Sequence, residues 1–269
     1  MSIVLASQSS DVVGSSVERA TLVIPIGATE QHGPHLPLRV DALIAERVAH
    51  SAAARATTEQ RPVWVAPTLA YGASDHHLPR PGTLSLRGRT YLAVLTDLVE
   101  SAVVGGFQRI VLLNGHGGNE DLARQATREV TVERPVVVGA AGYWTLGWRA
   151  LSRIALEEGL GGMPGHAGAF ETSLLLHLEP EVVRLERAQD TPPEATGPDH
   201  PASLPWVETH GWVESLHGYS PGVRRASADI GERLFTTIIE ATATWLAEFA
   251  RREAPSPAPS GRTRNGRSL

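Results

Sequence analysis

The sequence predicts an α/β fold whose mainly parallel sheet is covered by helices on both faces, and three observations carry that expectation. Short apolar, β-branched runs at residues 22–26, 63–66, 109–113 and 136–138 lack the polar alternation of a half-solvated strand. Longer segments with an apolar stripe separate them. Gly-rich loops follow two of the runs, at the place where an open α/β sheet keeps its ligands.

The run at residues 22–26 leads through a Gly- and Pro-kinked loop into a helix over 41–54. Strand 63–66 is followed by a second helix, 89–104, with Tyr91, Leu92, Leu95, Leu98 and Val99 on one face. Strand 109–113, helix 120–130 and strand 136–138 continue the alternation. Trp144 and Trp148 stand four apart in a chain poor in aromatic residues, so on a helix they would share a face. His177 lies in an apolar run and reads as a core or interface histidine. Residues 190–217, proline-rich and without periodicity, read as an irregular excursion, a lid or a subunit contact. Ile230, Leu234, Ile238, Ile239, Leu246 and Phe249 mark a long helix over 226–252, whose last turns end in arginines as the helix dipole favours. Residues 254–269 carry proline and arginine but no apolar pattern, and read as a disordered tail behind a single domain, 1–253.

A chain of 269 residues that is 42% hydrophobic can bury one sizeable core. The absence of cysteine excludes disulfides, thiolate metal sites and a Cys nucleophile. A net charge of −5 without a concentrated basic surface argues against a nucleic-acid partner. No apolar run approaches a membrane span and no basic-then-apolar leader is visible, so the expectation is a cytoplasmic protein with no membrane partner.

Three loops carry the chemistry. In the first, Glu30 and His32 lie two apart and so share a face of an extended chain, and Asp41 returns where the first long helix begins. The second holds His116 in Asn114-Gly115-His116-Gly117-Gly118-Asn119, between a strand and a helix. The third places His166 and Glu171 in Gly165-His166-Ala167-Gly168-Ala169-Phe170-Glu171-Thr172-Ser173. Carboxylates and neutral imidazoles are ligands that suit zinc, manganese or iron.

Read as GATEQHGPHLP, NGHGGN and GHAGAFETS in that order, these loops resemble the creatininase family of metal-dependent amidohydrolases, over about residues 22–247. The resemblance implies a three-layer α/β/α sandwich, two divalent metal ions per chain and assembly into homo-oligomers, hexamers among them. It places Glu30, His32, Asp41 and His116 on metal-ligand positions, with Asp41 as the bridge. Family members of the GHYEN form have a further glutamate ligand where this chain has Gly118, and the resemblance assigns that role to Glu171. It puts His166 at a position associated with proton transfer. Ser74 and His77 fall in a segment along the active-site mouth, as substrate contacts. Trp144 and Trp148 correspond to a region that encloses substrate. The Gly117, Gly118 and Asn119 N–H groups are suited to an oxyanion or a substrate carboxylate, and His35 to a supporting role beside the metals.

The reaction implied is hydrolysis of a C–N amide bond in a small cyclic or formylated amide by a metal-bridged hydroxide. Three alternatives stay open: a mycofactocin-type precursor-peptide peptidase on the same metals, a keto-sugar or inositol hydrolase, and a non-catalytic metal-binding subunit.

Overall fold

The computed structural model describes residues 3–161, 163–189, 218–220 and 222–255. The excursion expected at 190–217 lies outside the described residues, and so does the expected tail, apart from its first two positions.

The elements run α1 (Ser10–Gly14), β1 (Thr21–Ile26), α2 (Val40–Ala56), β2 (Val63–Val65), α3 (Gly88–Val104) and β3 (Arg109–Asn114). They continue with α4 (Glu120–Glu133), β4 (Val137–Gly142), α5 (Tyr143–Leu146), α6 (Trp148–Glu158), α7 (Ala169–Leu178) and α8 (Ala228–Phe249). Single 3-10 turns at Asp75–His77 and Gly117–Asn119 bear on the site. The sheet is parallel throughout, in the order β2-β1-β3-β4.

Alternate strand residues feed two separate cores, because side chains two apart point to the same face. Leu22, Ile24, Ile26, Ile110 and Leu112 pack with Tyr91, Leu95 and Val99 of α3 and with Ala123, Ala126 and Val130 of α4. Val23, Val63, Val65, Val111 and Leu113 pack on the opposite face with α2, α7 and α8. The result is the expected three-layer α/β/α sandwich. Each fully buried Leu or Ile stabilises the fold by roughly 1.5–3 kcal/mol.

Helix α2 is built from good helix formers, with Leu43, Ile44, Val48 and Ala52 turned inward. Helix α8 starts where the Ser227 side chain accepts from the Ile230 N–H. It ends at Phe249, so Arg251 and Arg252 lie beyond its last turn. Three expectations need correction. Strand β4 runs on to Gly142, past the β-branched run, because its ladder with β3 holds a Gly- and Ala-rich segment that propensity alone would leave irregular. The helix over 148–158 was not anticipated, although Leu151, Ile154 and Ala155 give it a buried face. Trp144 and Trp148 do not share a helix face, since Gly147 separates α5 from α6.

Candidate metal centre

Strands β1 and β3 end side by side, with Ile26 opposite Asn114, and both open into loops at their carboxyl ends. Gly27 and Gly115 press these loops onto the start of α2. A Cβ would meet the Ala42 backbone at 2.5 Å in the first case and the Asp41 carbonyl oxygen at 2.4 Å in the second. Two bare backbones therefore let Asp41, in the first turn of α2, sit between the loops.

There Asp41 Oδ1 lies 3.1 Å from His32 Nε2, and Oδ2 lies 3.1 Å from His116 Nδ1. Glu30 Oε1 is 3.4 Å from the same His116 nitrogen, and Glu171 Oε2, from the first turn of α7, is 3.9 Å from His32 Nε2. All five are nearly sealed from solvent: Glu30 and His32 are 0% exposed, Asp41 2%, and His116 and Glu171 4%. Both Glu30 oxygens and Asp41 Oδ2 are buried without a hydrogen-bond partner among the described residues. Buried carboxylate oxygens left in that state are destabilising unless a cation compensates them. Oxygen and imidazole donors are what zinc, manganese and iron accept, so the residues fit divalent cations. Ligand atoms of His32, Asp41 and Glu171 lie within 4.8 Å of one another, as do those of Glu30, His32 and His166, and those of Glu30, His76 and His116.

Neighbouring carbonyls fix which nitrogen each ring presents. The His32 Nδ1–H donates to the Glu30 carbonyl at 3.2 Å, leaving Nε2 to face Asp41 and Glu171. The His116 Nε2–H donates to the Ala73 carbonyl at 3.2 Å, with Ser74 Oγ at 3.3 Å, leaving Nδ1 to face Glu30 and Asp41. A backbone acceptor behind a ligating imidazole is the usual support of a metal site. His166 follows the same logic. Its Nε2–H donates to the Gln31 carbonyl at 2.9 Å, beside the Gln31 side-chain nitrogen at the same distance, and in that tautomer the Nδ1 lone pair points at Glu30 Oε1, 3.5 Å away. The ring packs against His77 at 4.2 Å and His32 at 4.5 Å.

Gln31 escaped the sequence reading. Its side-chain amide donates to His77 Nδ1 at 3.0 Å and to the Gly218 carbonyl at 2.8 Å, while its Oε1 accepts the Gly33 N–H at 3.0 Å. With that amide donating to its Nδ1, His77 carries its proton on Nε2, 3.3 Å from Glu30 Oε1, and turns no lone pair toward that carboxylate. The signal was the position between Glu30 and His32, whose side chain leaves the ligand face and turns to the rings behind it. Gln31→Ala is expected to keep its metals while turnover falls about 10- to 100-fold. Steady-state kinetics beside elemental analysis of the same sample checks this.

His35 supports the third loop. Its Nε2 lies 3.1 Å from the Ala167 carbonyl and 3.1 Å from Thr172 Oγ1. Ala167 is held at a left-handed φ of 48°, rare for a residue with a Cβ, and from there its N–H donates to Glu171 Oε2 at 2.6 Å. His177 packs on Phe235 of α8 at 5.6 Å, away from the cluster.

Several expected substrate contacts take other places. Ser74 is fully buried behind His116. Asn119 donates its backbone N–H to the His116 carbonyl, and its side chain ties the Ala73 N–H to the Gly27 carbonyl, so it is a strut between loops whose backbone N–H is already committed. Gly117 faces open space. Trp144 lies in the core, edge-on to Tyr143 at 5.0 Å, and Trp148 packs half-buried against the same core.

Burial pushes the Glu30 carboxyl up to about 7 and that of Glu171 up to about 8. Burial works against charged imidazoles too, but Asp41, Glu171 and Glu30 outweigh it and hold His32 at about 10. In the same way Glu30 and Asp41 hold His116 at about 9. All four folded-state values exceed the ordinary ones, so the folded, metal-free chain binds extra protons and loses their contribution as pH rises through them. Its melting temperature is expected to fall between about pH 7 and pH 10, whereas metal-loaded protein should hold steady because cations replace those protons. Calorimetry with and without chelator reads the difference.

Fold and site together define an α/β/α protein with a carboxylate–imidazole centre at the carboxyl ends of parallel strands. A family model described as creatinine amidohydrolase matches residues 7–246. The chain belongs to the creatininase family. It is 31% identical over 250 residues to creatinine amidohydrolase of Pseudomonas putida, covering 87% of this chain and 90% of that one. It is 39% identical over 171 residues to the mycofactocin precursor peptide peptidase of Mycobacterium ulcerans (strain Agy99), a match that spans 62% of either chain. A solved manganese creatininase superposes with a TM-score of 0.76 at 28% identity, covering 94% of this chain and all of that one. Among the described residues no helix is long and apolar enough to cross a membrane.

Proposed function

We propose that the protein hydrolyses a C–N amide bond with two divalent cations held by Glu30, His32, Asp41, His116 and Glu171. The observation that carries this reading is the sealed cluster itself: carboxylate oxygens without partners, facing imidazole nitrogens whose far sides are fixed by backbone carbonyls. When bound, the cations supply a water of lowered pKa and polarise the carbonyl under attack. Asp41, reaching both histidines, holds the two halves of the site together. His166 serves as the proton carrier: with Nε2–H fixed on the Gln31 carbonyl, Nδ1 takes a proton at the cluster and gives it to the departing nitrogen. Burial keeps that ring neutral between turnovers.

Two amide classes are in view. The small cyclic or formylated amide is the reading that the creatinine amidohydrolase likeness supports over the longer alignment. A precursor peptide is favoured by the higher identity, 39% against 31%, to the mycofactocin peptidase. Incubating the metal-loaded protein with creatinine, with cyclic imides and with a mycofactocin-type precursor peptide, followed by mass spectrometry, separates the two. Loss of a mass-balanced C–N bond in one panel supports that class. No cleavage in any panel by protein carrying its metals favours the non-catalytic reading. We further propose a cytoplasmic homo-oligomer.

A further inference from the structure

Resting on the two-cation reading, we infer that His76 is a ligand of the cation seated between Glu30 and His116. Each half of the cluster has three donors from the expected ligand set. On one side His32, Asp41 and Glu171 converge, and Glu171 has His32 and the Ala167 N–H as its neighbours. The other side has Glu30, His116 and the second oxygen of Asp41, and there a further imidazole stands beside them. A glutamate in place of Gly118 is the difference from the GHYEN form, and Glu171 was the expected replacement. Yet Gly118 does not border Glu171. A Cβ there would lie 2.2 Å from the Ala73 carbonyl oxygen, 2.6 Å from His116 Nε2 and 3.1 Å from His76 Cε1. The Ala73 carbonyl fills the place of a side chain at 118, and the next ring there is that of His76.

His76 is also suited in its own right. A ligand atom of its ring lies within 4.8 Å of those of Glu30 and His116, and the ring is stacked parallel to His116, 4° apart in plane at 5.7 Å. Neither ring nitrogen makes a hydrogen bond among the described residues, so both stay available. The competing rings face elsewhere: His77 has its Nδ1 lone pair on the Gln31 amide, and His166 presents its lone pair on the side shared with His32.

Chelator-stripped protein titrated with manganese or zinc, followed by calorimetry, tests the assignment. The parent should bind two ions per chain. His76→Ala should weaken one of them at least about tenfold and leave the other unchanged, and His76→Gln, which keeps a polar side chain, should do the same if the alanine variant folds poorly. Glu171→Gln should weaken the opposite ion, so the double variant His76→Ala with Glu171→Gln should bind neither tightly. Two ions at parental affinity in both His76 variants would overturn the assignment while leaving the two-cation reading intact. One tight ion surviving in the double variant would place His76 on the wrong ion. A parent that binds no ion would overturn both.

Discussion

Asp41→Asn is expected to abolish turnover and to leave the chain unable to hold its two cations together. The substitution keeps size and shape but removes the charge that faces His32 at 3.1 Å and His116 at 3.1 Å. Burial alone would raise that carboxyl, yet the two imidazoles hold it well below its ordinary value, so it is an anion whenever the protein is folded. A neutral amide cannot draw two cations to one point, and its NH2 would face imidazoles or metals that need an acceptor. The loss should exceed the roughly 10- to 100-fold typical of a supporting residue. Turnover and metal content measured on one preparation decide the point: activity close to the parent would remove Asp41 from the bridge. In metal-free protein the same change should also lower the melting temperature, because two charged, buried rings lose their counter-charge.

His166→Ala should separate binding from chemistry. The ring's polar contact with the cluster is through Nδ1, 3.5 Å from Glu30, beside its packing on His32, and its backbone is pinned independently, the N–H donating to Ser220 Oγ and the carbonyl accepting the Ser220 N–H. Removing it should therefore leave Glu30, His32, Asp41, His116 and Glu171 in place. Loss of a positioned proton carrier costs about 10²- to 10⁴-fold in turnover. The expected outcome is kcat reduced by that factor with two cations retained. A variant that loses a cation instead would make His166 a ligand, a role its grouping with Glu30 and His32 would accommodate. Unchanged kcat would remove it from the reaction.

The parts legible in the sequence share a physical reason. Residues 22–26 and 110–113 are apolar throughout because the strands are covered on both faces, and that same pattern marks where the chain must emerge into a loop. Glu30, His32, Asp41, His116, His166 and Glu171 stood out because buried-type loops do not otherwise carry that mixture, and the structure brings all six together. What stayed hidden depends on approach distances that no local pattern encodes. Gln31 looks like an ordinary polar residue until the Gly218 carbonyl and two rings close around it. Asn119 reads as a donor next to two glycines, but the meeting of three loops engages its backbone N–H and its side-chain amide. The tryptophan pair was misplaced because a spacing of four implies a shared face only on an unbroken helix, and Gly147 interrupts it. His76, one of two adjacent histidines in a polar loop, gains its interest only where the fold brings it beside Glu30 and His116, far away in sequence.

The account's central claim is that the buried cluster holds two divalent cations. The most direct measurement is elemental mass spectrometry of protein purified without chelator or added metal, beside the His32→Ala variant. Close to two ions of zinc, manganese or iron per chain in the parent, and clearly fewer in the variant, is the predicted result. A parent with no bound metal, unchanged after incubation with each of those ions, would contradict it.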